Sequence, residues 1–85
     1  MNEALTEERL AQIEQRCNQS TPGPWASYVE GRDHHGGSDF IMTAGEDIYL
    51  TGATIADQDF IASARQDIPN LVNEIRRLRK PSVRT

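Results

Sequence analysis

Residues 57–79 read DQDFIASARQDIPNLVNEIRRLR, and the punctuation inside this stretch sets how many helices close the chain. Asp67 has the short acceptor side chain of a helix N-cap, and Pro69 is tolerated in the first turn that follows such a cap, because the proline's missing N–H has no intrahelical partner there. The spacing therefore predicts a helix over about 68–80. Ile68, Leu71, Val72, Ile75 and Leu78 recur at i, i+3, i+4, i+7 and i+10, the strongest helical period in the chain. Upstream, Thr54 followed by Asp57 has the spacing of a capping box, which predicts a separate helix with Phe60, Ile61 and Ala64 on one face. Arg76, Arg77 and Arg79 gather at the C-terminal end, where the helix dipole favours cations, and Pro81 stops the helix.

Moving back along the chain, the period changes. Trp25, Ser27 and Val29 alternate with Ala26, Tyr28 and Glu30, while Phe40-Ile41-Met42 and Ile48-Tyr49-Leu50 are short β-prone runs bounded by Gly and Asp. These predict three antiparallel strands near 25–30, 39–44 and 47–51, with a tight turn at 44–47 in which Gly45 takes positive φ. A longer polar loop spans 31–38. Ahead of the strands, Thr6 caps a first helix over about 7–18, Glu7 and Glu8 suit its positive end, and Leu10, Ile13 and Cys17 form its apolar stripe. Pro22 ends it, and Thr21-Pro-Gly-Pro-Trp25 turns the chain into the sheet with the lone tryptophan at once in the first strand. The expected architecture is α+β in one domain over 1–85: an N-terminal helix, a three-stranded antiparallel β-meander and two C-terminal helices.

Composition bounds what such a domain can do. Leu, Ile, Val and Phe make up 17 of 85 residues, a supply so thin that a partner is expected to complete the core. Ile68, Leu71, Val72, Ile75 and Leu78 are the expected interface of a homo-oligomer, most simply a dimer. Net charge is −4, and because the last ten residues carry five cations the first 75 carry −9, which argues against wholesale affinity for nucleic acid. A single cysteine excludes an internal disulfide and fits a reducing cytosol. No secretory leader and no membrane-length apolar run is read from the sequence.

Chemistry-bearing motifs are few. Cys17 sits in a helical apolar stripe and reads as a small core residue, the serines lack a nucleophile elbow, and the glycines form no phosphate loop. The expectation is a non-enzymatic protein without cofactor. Asp33, His34, His35 and Asp39 are metal-ligand types, but adjacent histidines in extended chain point opposite ways, so no metal is assigned. Arg65 either braces the bend between the two last helices or points into a cleft and holds a phosphate or carboxylate. Trp25 and Tyr49 offer rings for a base, and Arg32, His34 and Arg65 offer donors for an anion.

RCNQSTPGPW (16–25) together with DQDFIASARQDIPNLVNEIRRLR (57–79) resembles the small phage and prophage proteins known as ead-like early proteins. The likeness rests on Thr21 to Trp25 and on Asp59, Phe60, Ile61, Ala62, Ala64, Arg65, Asp67, Pro69 and Leu71; the middle of the chain is its own. The resemblance implies a phage-type accessory protein acting in the bacterial host cytoplasm, and the leading expectation is that it counters host defence by sequestering a small anionic ligand, such as a signalling nucleotide. A protein–protein inhibitor or adaptor using the C-terminal helix is the second expectation, and nucleic-acid association through Arg76 to Lys80 the third.

Overall fold

A computed structural model describes residues 4–79. Lys80, Pro81 and Arg84, and with them the expected helix stop, lie outside the described residues. The elements are α1 (Glu7–Gln19), β1 (Ala26–Tyr28), β2 (Phe40–Met42) and α2 (Ile55–Arg79). The class is α+β as expected, but the arrangement differs in three ways.

The two C-terminal helices are one. α2 runs through Pro69, which cannot offer an N–H to Arg65 O, and exposed Asp67 sits mid-helix rather than at a cap. Packing on both sides of the proline outweighs that local cost. Gln58 and Ala62 are buried on the N-terminal side, Val72 is buried on the C-terminal side, and Arg76 is tied to Glu14 of α1. The helix does start where the sequence indicates. Thr54 N donates to Asp57 Oδ2 (3.1 Å) and Asp57 N donates to Thr54 Oγ1 (3.0 Å), a reciprocal capping box.

The sheet has two strands, not three. β1 and β2 pair antiparallel with Ala26 opposite Met42, Ser27 opposite Ile41 and Tyr28 opposite Phe40. Residues 47–51 contribute a single bridge, in which Ile41 and Ile48 exchange N–H···O bonds of 2.9 Å. The chain then bends at Gly52 (φ 84°) into the Thr54 cap, leaving too little length to extend the ladder. The 43–46 turn also works without a left-handed Gly45. Thr43 Oγ1 accepts from Gly45 N and donates to Glu46 O, both at 2.9 Å.

α1 has the expected cap, with Arg9 N donating to Thr6 Oγ1 (3.0 Å), and it closes on Ser20, whose N–H and Oγ reach the carbonyls of Arg16 and Cys17. Leu10, Val29, Ile41, Ala62 and Val72 form the apolar core, and α2 is the hub that touches both strands and α1. Gln66 fastens the Pro22-Gly23-Pro24 turn to α2. Its Oε1 accepts from Trp25 N (2.6 Å) and its Nε2 donates to Trp25 O (3.3 Å). A Cβ at Gly23 would stand 3.3 Å from Gln66 Oε1, so the close approach of turn and helix favours glycine there.

Candidate functional site

The apolar stripe of α1 and one face of α2 do not meet along their whole length. Ile13 and Cys17 on α1 and its C-cap Ser20 stand across from Ile61, Ala64 and Ile68 on α2, with Trp25 also lining the space, and they border a groove of about 530 Å³. Its walls are mainly apolar. The two cations that line it are Arg16 and Arg65, and among the described residues neither has a carboxylate partner. Thr21 O positions two of these groups together, accepting from Trp25 Nε1 (2.9 Å) and from Arg65 Nε (3.0 Å). The guanidinium of Arg65 is therefore oriented by its Nε, and the indole beside it is half-buried. An apolar trough with two cations can accept a flat or aliphatic body that carries negative charge.

Of the five residues expected to bind a ligand, only Trp25 and Arg65 line this groove. Arg32 is consumed elsewhere. Its NH1 and NH2 donate to Asp59 Oδ2 (2.9 Å) and Oδ1 (3.0 Å) as a fork, and its Nε donates to Asp33 Oδ2 (2.8 Å). The hydrogen bond from Arg32, joined by one from Ser27, pulls the Asp59 carboxyl down to about 2, and the two carboxylates raise the Arg32 guanidinium above its usual range. Asp33 is lowered first by the Val29 N–H and then by Arg32. The network continues inward, because Ser27 Oγ also accepts from buried Gln58 Nε2 (2.9 Å), which in turn reaches Tyr28 O and Phe40 O at 3.2 Å. Arg32 thus fastens the 31–38 loop to α2.

His34 and Tyr49 belong to a third place. Tyr28 and Phe40 stack with centroids 5.2 Å apart, His34 meets Phe40 edge-on at 5.3 Å, and Tyr49 tilts against Phe40 at 6.0 Å. His34 Nε2 is buried without a hydrogen-bond partner. Among the described residues no three His, Cys, Asp or Glu side chains gather in a way that could hold a metal ion.

The chain matches no family model, no curated protein and no solved structure. The geometry must therefore be read by itself. Arg16 and Cys17 entered the groove without having been singled out as binding residues. Ile13, Arg16, Cys17 and Ser20 fall at i, i+3, i+4 and i+7, so the face of α1 on which they meet was readable, but not what stood opposite it.

The remaining surface features concern α2. Of the expected interface, Val72 is buried within the chain, Ile75 is half-buried, and Ile68, Leu71 and Leu78 are exposed. Phe60, expected to share one apolar face with Ile61 and Ala64, is 73% exposed. The basic end is internally neutralised: Arg76 pairs with Glu14 and Glu7, Arg77 with Glu74, and Arg79 with Glu7. Among the described residues no helix is long and apolar enough to cross a membrane.

Proposed function

We propose that this is a non-enzymatic binding protein that sequesters a small anionic ligand in the groove between α1 and α2, with Trp25 against the ligand's planar or apolar part and Arg16 and Arg65 at its charge. The observation that carries this reading is the convergence of the lone tryptophan with two carboxylate-free arginines on one apolar trough. A nucleotide of the signalling type has the required chemistry, a stacking base and an anionic phosphate. Together with the resemblance of the TPGPW turn and the 57–79 segment to phage early proteins, this supports a role in the bacterial host cytoplasm against a nucleotide-based defence.

Trp25 is its own reporter, since no other tryptophan contributes to the emission. Titration with a panel of cyclic and linear nucleotides, with nucleosides and inorganic phosphate as controls, is expected to quench or shift that emission for at least one phosphate-bearing member. Replacing Arg16 or Arg65 by Gln removes a charge-assisted contact of about 1.5–3 kcal/mol, which weakens that member about tenfold or more. No response to any nucleotide at millimolar concentration, or binding indifferent to both substitutions, refutes the proposal. A second reading, docking of a host protein on the outer face of α2, is favoured by the exposure of Leu71 and Leu78 and gives a stable complex in pull-down that Arg16→Gln leaves intact.

A further inference from the structure

We infer that a second copy of this chain covers the open seam of α2, in a parallel, in-register two-stranded pairing along Ile61, Ala64, Ile68, Leu71, Ile75 and Leu78. Successive members of this series are separated by three, four, three, four and three residues, a seam of about two and a half heptads over residues 61–78 of α2. The fold leaves this seam open rather than buried: Ile61, Ala64 and Ile68 form one wall of the groove opposite α1, and Leu71 and Leu78 continue the line beyond it. What α2 buries is the neighbouring line of Gln58, Ala62 and Val72, while Leu71 and Leu78 are 59% and 67% exposed and Ile61 and Ile68 are exposed as well. The seam is distinct from the period read along 68–78 alone, because it extends back from Ile68 through Ala64 to Ile61 and excludes Val72.

Two features select a copy of the same chain and its direction. Isoleucine occupies all three positions of the first kind (61, 68, 75), and leucine two of the three of the second (71, 78), the side-chain shapes that pack two parallel strands. The flanking positions are Phe60, Asp67 and Glu74 on one side and Arg65, Val72 and Arg79 on the other. In the parallel pairing each flank meets the opposite flank of the partner five residues on. Glu74, which pairs with Arg77 in its own chain, then also faces the partner subunit's Arg79, and Phe60 faces the partner subunit's Arg65, while Val72 stays buried within its own chain and leaves Asp67 to solvent. The antiparallel pairing places like flanks together and sets Asp67 against the partner subunit's Glu74, two carboxylates at each end of the contact. Phe60, the most exposed of the large apolar residues, is covered only when this flank is occupied.

Light scattering on the full chain at tens of micromolar is expected to give twice the 9.5 kDa chain mass. The double variant Leu71→Lys, Leu78→Lys is expected to be monomeric with unchanged far-ultraviolet circular dichroism, since both side chains are solvent-facing within one chain. Direction is read by disulfide trapping in a Cys17→Ser background. Leu71→Cys alone is expected to cross-link to itself under mild oxidation, because position 71 faces position 71 only in the parallel register. A monomer in the native chain, a dimer that survives the double lysine substitution, or a cross-link that forms only when Ile68→Cys and Leu71→Cys chains are mixed overturns the inference.

Discussion

Gln58 is 4% exposed and is the one buried polar side chain among the described residues, so its replacement tests how the sheet is held to α2. Its Nε2 is shared among Ser27 Oγ at 2.9 Å and the carbonyls of Tyr28 and Phe40 at 3.2 Å, one from each strand. Gln58→Met keeps the volume and removes the donor, leaving acceptors at the strand–helix junction without their bond. Nε2 carries two N–H donors, so about two groups are stranded, and at about 1–3 kcal/mol each the cost should be about 2–6 kcal/mol. A domain of this size commands roughly 3–5 kcal/mol from its core, so the variant should be folded marginally or not at all at room temperature. Gln58→Glu is more informative. It sets a carboxylate against the same acceptors, so burial raises the folded-state pKa of the introduced group above its unfolded value of about 4.3. The penalty is then small below the unfolded value and grows by up to 1.36 kcal/mol per pH unit until the folded value is passed. Urea denaturation at about pH 5 and about pH 7.5 should show Gln58→Glu losing stability relative to the native chain as pH rises. If Gln58→Met matches the native chain, or if Gln58→Glu is equally stable at both pH values, the bridging role assigned to Gln58 is wrong.

Two further outcomes follow from particular bonds. Pro69→Ala restores an N–H for Arg65 O in a helix interior, where proline costs about 3 kcal/mol, and should raise the thermal midpoint unless the ring's half-buried packing offsets the gain; a lower midpoint refutes the account of why α2 continues through this residue. The clasp from Arg32 to Asp33 and Asp59 should persist above the ordinary carboxylate range and be lost as pH falls from about 3.8 towards about 2, because both acids have folded-state values below their unfolded ones. Carboxyl chemical shifts and loop amide exchange in Arg32→Gln should then lose that acid transition; an unchanged titration of Asp59 contradicts the pairing.

Local signals were legible wherever a residue acts on its own neighbours. Thr6 and Thr54 cap the helices they were expected to cap, and Pro22 ends the first helix, because capping and proline chemistry are decided within four residues. Pro69 was misread for the converse reason. Its local cost is real, but whether a helix breaks there depends on Gln58, Ala62 and Val72 finding cover at a distance, which no window of sequence contains. The third strand failed similarly. Ile48-Tyr49-Leu50 has strand composition, yet after one bridge at Ile48 the chain is drawn to Thr54. For the site, Trp25 and Arg65 were identifiable as unusual residues beside a turn. Arg32 was equally basic and sat in a polar loop, and only its distance to Asp59 shows that its charge is already answered.

The exposed line on α2 and the polar plug at its centre have one cause. A helix of 25 residues spans about 37 Å at 1.5 Å per residue, far more than a two-stranded sheet of three-residue strands can cover. The inner face therefore meets a sheet too small to bury a full apolar stripe, and there Gln58, Ala62 and Gln66 supply hydrogen bonds and close approach instead of bulk. The larger apolar side chains, Ile61, Ile68, Leu71 and Leu78, are left along the open groove wall and the exposed face that continues it, where they add little to the stability of one chain. Because Ile61 and Ile68 line the groove beside Trp25, a copy seated on this seam borders the same cavity that the arginines flank. Pairing and ligand binding then draw on shared residues, and any change in affinity that one causes in the other must be returned by the same factor.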